Sequence, residues 1–214
     1  MSPAVRDLVI VGAGGHGREL FATVAALNSG TPAGRVRGVV DDAPSHTDRL
    51  ERLGLELLGP VDRLLELGCA YALGIGSSGV RRRLVERFDA AGLEPATVVH
   101  PGAHLGPDVE LGAGVVVYDR CTLTTNVRIG AHTHLNVGCA VQHDSVLGRF
   151  VQMSPGVFVN GDCTLGDDVF LGTGSIVTRG TTVGEGARIG AGAVVLTDVL
   201  AGQTVVGAPA KPVG

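Results

Sequence analysis

Residues 105–123, LGPDVELGAGVVVYDRCTL, carry an aliphatic side chain at every sixth position: Leu105, Leu111, Val117 and Leu123. The column runs on without a slip through Ile129, Leu135, Val141, Leu147, Met153, Val159, Leu165, Leu171, Val177, Val183, Ile189 and Val195. Val99 extends it one step upstream. A period of six fits neither an α-helix, near 3.6, nor a half-buried strand, near 2. It fits a solenoid that turns a large aliphatic residue inward at each repeat.

A second column lies four residues after the first and is built mostly of small side chains: Val109, Val115, Cys121, Val127, Thr133, Cys139, Ser145, Val151, Val157, Cys163, Val169, Ser175, Thr181, Ala187, Ala193 and Val199. Each hexapeptide thus gives one large and one small residue to a narrow interior. Gly or Asn often follows the aliphatic residue, as at Gly106, Gly112, Gly130, Asn136, Gly148, Gly166 and Gly172. These are expected to take the sharp or left-handed backbone of a corner. Three hexapeptides make one triangular coil of about eighteen residues, and the run makes roughly five to six coils of short parallel strands, a β-helix.

Composition narrows the function. A net charge of −4 argues against a nucleic-acid footprint. The tightest basic cluster, Arg81-Arg82-Arg83, reads as one solvated helix face. Trp is absent and aromatics are few, as a tight coil interior requires, and the 34 glycines follow the repeat. Residues 1–7 lack an apolar core and read as no signal peptide, and no run is long enough to span a membrane, so the expected location is the cytoplasm. Three of the four cysteines lie in the small column, and no CxxC spacing suggests zinc or redox chemistry.

Ahead of the repeat, strand and helix alternate. Leu8-Val-Ile-Val-Gly12 reads as a buried strand entering the turn Gly12-Ala-Gly14-Gly15-His16-Gly17, followed by an amphipathic helix with Leu20, Val24 and Leu27. A second strand, Val36–Val40, ends in Asp41-Asp42. A later strand, Ala70–Ile75, precedes a helix that Ser77 or Ser78 is placed to cap. This pattern implies a small parallel α/β sheet. The turn satisfies G-x-G-x-x-G, with acids at the end of the second strand, as in dinucleotide-binding folds. The physics is wider than a dinucleotide: bare backbone at a helix N-terminus suits any diphosphate, including that of a nucleotide sugar. His16 is expected to face the ligand. The expected domains are a Rossmann-like domain over 1–96, a β-helix over 97–200 and a C-terminal tail over 201–214.

Within the repeat, residues eighteen apart lie above one another. His143 then has only Thr125 and Gly161 as stacked neighbours, and Asp144 follows it. A histidine beside a carboxylate at a corner suits a general base, though a solvated corner pair reads equally well from pattern alone. A zinc hydro-lyase on a β-helix is the rival reading. A resemblance to the γ-class carbonic anhydrases, which hold zinc with three His, would imply a His-x₄-His pair, and the chain has none.

Taken together, these motifs resemble the sialic-acid O-acetyltransferase and nucleotide-aminosugar N-acetyltransferase family (NeuD/PglD-like). The resemblance rests on Gly12–Gly17, Asp41-Asp42, Gly74-Ile-Gly76 with Arg81, His100-Pro101, Asn136 with Gln142-His143-Asp144, and the tail Gly207-Ala-Pro-Ala-Lys211. It implies a left-handed β-helix and acetyl transfer from acetyl-CoA to the amine of a nucleotide-linked 4-amino-deoxysugar. His143 would be the base, supported by Asp144. The resemblance assigns Gly14, Gly15, His16, Asp41, Asp42, Gly76 and Arg81 to the sugar nucleotide. It assigns Asn136, Gln152, Thr173, Ala191 and Lys211 to acetyl-CoA. It implies no metal, no nucleic acid and no membrane, and a homotrimer with its sites between subunits. Gln152 stands where the family commonly has a second histidine, and Ser77-Ser78 replaces an Asn/Asp-Asn pair. O-acetylation of a sialic-acid-like sugar and a non-catalytic nucleotide-sugar scaffold are the alternatives.

Overall fold

The computed structural model describes residues 7–28 and 35–213. Residues 1–6, which carry the reading of the amino terminus, lie outside them. The chain divides into two compact units, 1–100 and 101–214.

The first unit is a four-stranded parallel sheet with order β3-β2-β1-β4, where β1 is Asp7–Val11, β2 Arg35–Val40, β3 Leu57–Gly59 and β4 Ala70–Leu73. Val9, Ile10, Val11, Val39 and Val40 are fully buried, because a parallel sheet covered on both faces wants unbroken apolar strands. Helix α1, Gly15–Asn28, buries Leu20 and Val24 on one stripe. Short helices α2, Thr47–Glu51, and α3, Arg63–Leu67, flank β3. Sequence patterning misses all three elements, which are too short to show a period. Helix α4, Ser78–Ala90, begins after Ser77, whose backbone is extended as an N-cap requires, but whose side chain makes no capping bond. The expected cap is therefore one of position only. Among the described residues no helix is long and apolar enough to cross a membrane.

The second unit is a parallel β-helix of two-residue strands. Sheet I runs from His104–Leu105 to Val194–Val195, and sheet II from Glu110–Leu111 to Thr182–Val183. Sheet III runs from Val116–Val117 to Arg188–Ile189 and continues into Thr204–Val206 and the antiparallel Lys211–Pro212. Registers step by eighteen residues, Arg128 to Val146 and His134 to Gln152 for example. From Val117 to Val195 every member of the large column is buried, as is every member of the small column from Val115 onward. Each such Val or Leu contributes about 1.5–3 kcal/mol through burial.

Two expectations are corrected here. The glycines after the aliphatic column are not the left-handed ones: positive φ falls two residues later, at Asp108, Gly114, Arg120, Asn126, His132, Gly138 and Asp144. Gly130 and its equivalents are needed because coils approach too closely for a side chain, and a β-carbon on Gly130 would lie 2.4 Å from the backbone of Gly148. The second correction concerns Val199. It bridges to Val183, a member of the large column, and Val205 pairs with Ile189, so the last coil is two residues short. Val199 therefore fills a large-column position, and the interior extends past residue 200 into the segment read as a tail.

Candidate functional site

His143 and Asp144 occupy the corner that joins sheet I to sheet II. The corner residues 108, 126, 144, 162 and 180 stack as Asp, Asn, Asp, Asp and Gly, all left-handed, which is the conformation Asn, Asp and Gly tolerate best. Asp144 adopts φ 62°, which turns its carboxylate back toward the preceding imidazole. His143 Nδ1 lies 2.8 Å from Asp144 Oδ2. A carboxylate only accepts, so Nδ1 carries the hydrogen and Nε2 keeps its lone pair. The other oxygen, Oδ1, accepts the Asn126 side-chain amide at 2.9 Å. That bond first, then His143 and the charge of Arg179, hold the Asp144 carboxyl below the usual carboxylate range. Gly161 lies flat against the imidazole, and Asp162 above is engaged by Arg179 at 2.8 Å and 3.1 Å. His143, Asp144 and Asp162 bring ligand atoms within 4.8 Å of one another, but these hydrogen bonds already engage the carboxylates.

In the first unit, β1, β2 and β4 end around a cavity of about 350 Å³ lined by Gly12, Asp41, Asp42, Val61, Ile75 and Arg83. The glycines divide their labour. A β-carbon on Gly12 would meet Gly74 O at 2.8 Å, and one on Gly17 would meet Gly12 O, so these two let the turn close. Gly14 and Gly76 face open space, which leaves bare backbone for a ligand. Asp41 is a clasp: its two oxygens accept the Ala13 and Ala43 amides at 2.7 Å and 2.8 Å. Asp42 Oδ1 accepts the Val61 amide at 2.8 Å. His16 is mostly buried, and burial together with the Arg81 charge lowers its pKa to about 4, so it is neutral near pH 7.

Arg81 departs from its expected surface position. It is fully buried, and its guanidinium donates to the Ile75 and Gly76 carbonyls at 3.0 Å and 2.9 Å. Arg83, two residues along the helix and so on another face, is the member of the cluster that lines the cavity. Helical spacing separates the two, but nothing in the sequence shows which face is inward.

Three of the residues assigned to acetyl-CoA, Asn136, Thr173 and Ala191, gather at the opposite corner of sheet I. Thr173 and Ala191 are exposed and stack at the corner joining sheet III to sheet I, where Gly192 N donates to Thr173 O at 2.8 Å. Asn136 leads into the same corner, its Oδ1 accepting the Val137 amide at 2.7 Å. Gln152 is buried on sheet III beside His134, and Lys211 is exposed on the last strand. Within one chain Asn136, Thr173 and Ala191 therefore sit at a different corner from His143, with sheet I between them.

Comparison with known proteins matches residues 7–88 to the PglD N-terminal domain and residues 162–197 to the bacterial transferase hexapeptide (six repeats). The acetyltransferase domain of PglB from Neisseria gonorrhoeae FA1090 is 30% identical, with 97% of this chain and 100% of that chain covered at a TM-score of 0.84. The chain belongs to the PglD-like hexapeptide-repeat acyltransferases. The solenoid is a left-handed parallel β-helix, and it follows a parallel α/β domain in the sequence. PerB from Caulobacter crescentus, in complex with CoA and GDP-perosamine, is 29% identical over 100% of both chains, with a TM-score of 0.88. A histidine-to-asparagine variant of perosamine N-acetyltransferase from the same organism, also with CoA and GDP-perosamine, is 28% identical over 100% of both chains, with a TM-score of 0.87. No curated protein matches the chain in a direct sequence search.

Proposed function

We propose that this PglD-like acyltransferase transfers an acetyl group from acetyl-CoA to the amine of a nucleotide-linked 4-amino-deoxysugar, with His143 as general base. The observation that carries the reading is the His143–Asp144 pair, oriented so that Nε2 is free to take a proton. The amine nitrogen attacks the thioester carbonyl while Nε2 accepts its proton. The C–N bond forms, the C–S bond breaks, and His143 returns the proton to the departing thiolate. Asp144 stabilises the imidazolium in between and holds the ring in its productive tautomer. The cavity above Gly12, with open backbone at Gly14 and Gly76 and the Arg83 guanidinium, takes the nucleotide diphosphate.

Two observations support a homotrimer with sites between subunits. Asn136, Thr173 and Ala191, assigned to acetyl-CoA, and His143 flank sheet I from opposite corners, so neither group alone makes a site. The outward face of sheet I carries Ala140, Phe158, Ile176 and Val194 in one ladder, with Phe158 45% exposed in the single chain. A second copy packed there would cover the stripe and bring its own corner toward His143. The same reading places the work in the cytoplasm, the compartment that supplies acetyl-CoA.

The test is CoA release from acetyl-CoA with a panel of UDP-, GDP- and dTDP-4-amino-sugars and free sialic acid, using wild type and His143→Ala. Turnover on an amino-sugar that is lost in the variant is the expected result. Turnover on sialic acid alone would move the protein to O-acetylation, and silence across the panel would favour a scaffold.

A further inference from the structure

We infer that Asn126 is a positioning residue for the acetyl transfer, the third member of a relay Asn126–Asp144–His143 built from two neighbouring coils; this rests on His143 being the base. The corner column would otherwise be a run of acids: Asp108, Asp144 and Asp162 are eighteen residues apart or a multiple of it, and Asn126 interrupts them. The outer two are taken away from the centre. Arg128 holds Asp108 through both carboxylate oxygens at 3.0 Å and 2.9 Å, and Arg179 holds Asp162. Of these three acids Asp144 alone has no arginine hydrogen bond among the described residues, and its two oxygens divide between Asn126 Nδ2 at 2.9 Å and His143 Nδ1 at 2.8 Å.

That division is what orients the base. A carboxylate held only by His143 can rotate about its own Cβ–Cγ bond and carry the imidazole with it, because the pair is about half exposed. The amide fixes Oδ1, and Oδ2 is then fixed beneath Nδ1. The amide's own orientation is determined as well: its NH₂ must face the carboxylate, and its oxygen turns to the Thr125 hydroxyl at 3.4 Å. An aspartate at 126 would present an acceptor to an acceptor and put like charges side by side. The left-handed backbone of residue 126, φ 55°, is open to Asn, Asp and Gly, so backbone shape does not select Asn over the acids above and below it.

The test uses Asn126→Gly, which keeps the left-handed corner without strain and removes the amide, and Asn126→Asp, which keeps the shape and reverses the polarity. Both are expected to lower kcat about five- to twenty-fold, as for loss of one charge-assisted hydrogen bond, with KM for both substrates within about two-fold of wild type. In an Asp144→Asn background, Asn126→Gly is expected to cost nothing further. Wild-type kcat in Asn126→Gly, with His143→Ala inactive, would overturn this inference and leave the proposed function standing. A loss of equal size in the Asp144→Asn background, or one that appears in KM rather than kcat, would reduce Asn126 to a structural role. Wild-type turnover by His143→Ala would overturn both readings.

Discussion

Gly161 packs against the face of the His143 imidazole: a β-carbon there would stand 2.4 Å from both Cε1 and Nε2 of the ring. The position lies eighteen residues after His143 in sequence and directly above it in the stack. Its φ is not in the left-handed region, so an alanine meets no backbone penalty. Gly161→Ala is therefore expected to displace the ring and leave the coil intact. The loss in kcat should be on the order of 100-fold, as for a misplacement of about 1 Å at a reacting group. Thermal unfolding measured beside steady-state kinetics checks this, and a large fall in Tm would show that the coil, not the ring, had yielded.

His16 makes stability depend on pH. Its pKa is lowered from 6.5 to about 4 in the folded chain, by burial first and the Arg81 charge second. Between those values the unfolded chain binds the extra proton, so stability rises with pH and is lost as pH falls from about 6.5 toward 4. The expected loss between pH 7 and pH 5 is about 2 kcal/mol from this residue. Urea unfolding of wild type and His16→Gln at the two pH values measures it, and equal slopes in both proteins would remove His16 as the cause.

The two arginines of α4 separate stability from binding. Arg81→Met removes the donors for the Ile75 and Gly76 carbonyls inside the unit and is expected to cost about 2 kcal/mol or more. Arg83→Gln should leave Tm unchanged and raise KM for the nucleotide sugar about five- to ten-fold, with KM for acetyl-CoA unaffected. Unchanged KM in Arg83→Gln would place the nucleotide elsewhere.

Thr133 tests the small column. Its hydroxyl is fully buried, donates to Gly148 O at 2.8 Å and accepts the Val151 amide at 3.0 Å, so it ties one coil to the next. Thr133→Val keeps the volume and removes both of these hydrogen bonds. The expected cost is about 1–3 kcal/mol, read by denaturant unfolding, where a shape-only role would cost almost nothing.

The six-residue period determined the β-helix, because a coil interior admits one large and one small side chain per edge and every violation would cost a cavity or a clash. The same period, applied to the corners, places Thr125 and Gly161 around His143, and Asn126 follows from it by the same step of eighteen from Asp144. The turn Gly12–Gly17 and the acids after β2 were legible because backbone approach to an anion demands those residue types. What an arginine or a glycine does was decided by tertiary structure. Arg81 and Arg83 are alike in sequence, yet one is locked inside by the carbonyls of the loop just before its helix and the other opens on a cavity. Gly130 reads as a corner residue until the neighbouring coil shows that its hydrogen stands where no side chain fits. Val199 changes column only because the last coil closes two residues early, a choice made by packing against Val183. Spacing along a chain fixes which residues can repeat together, whereas burial, register at an irregular end and the partner of a charged group depend on atoms brought in from elsewhere in the fold.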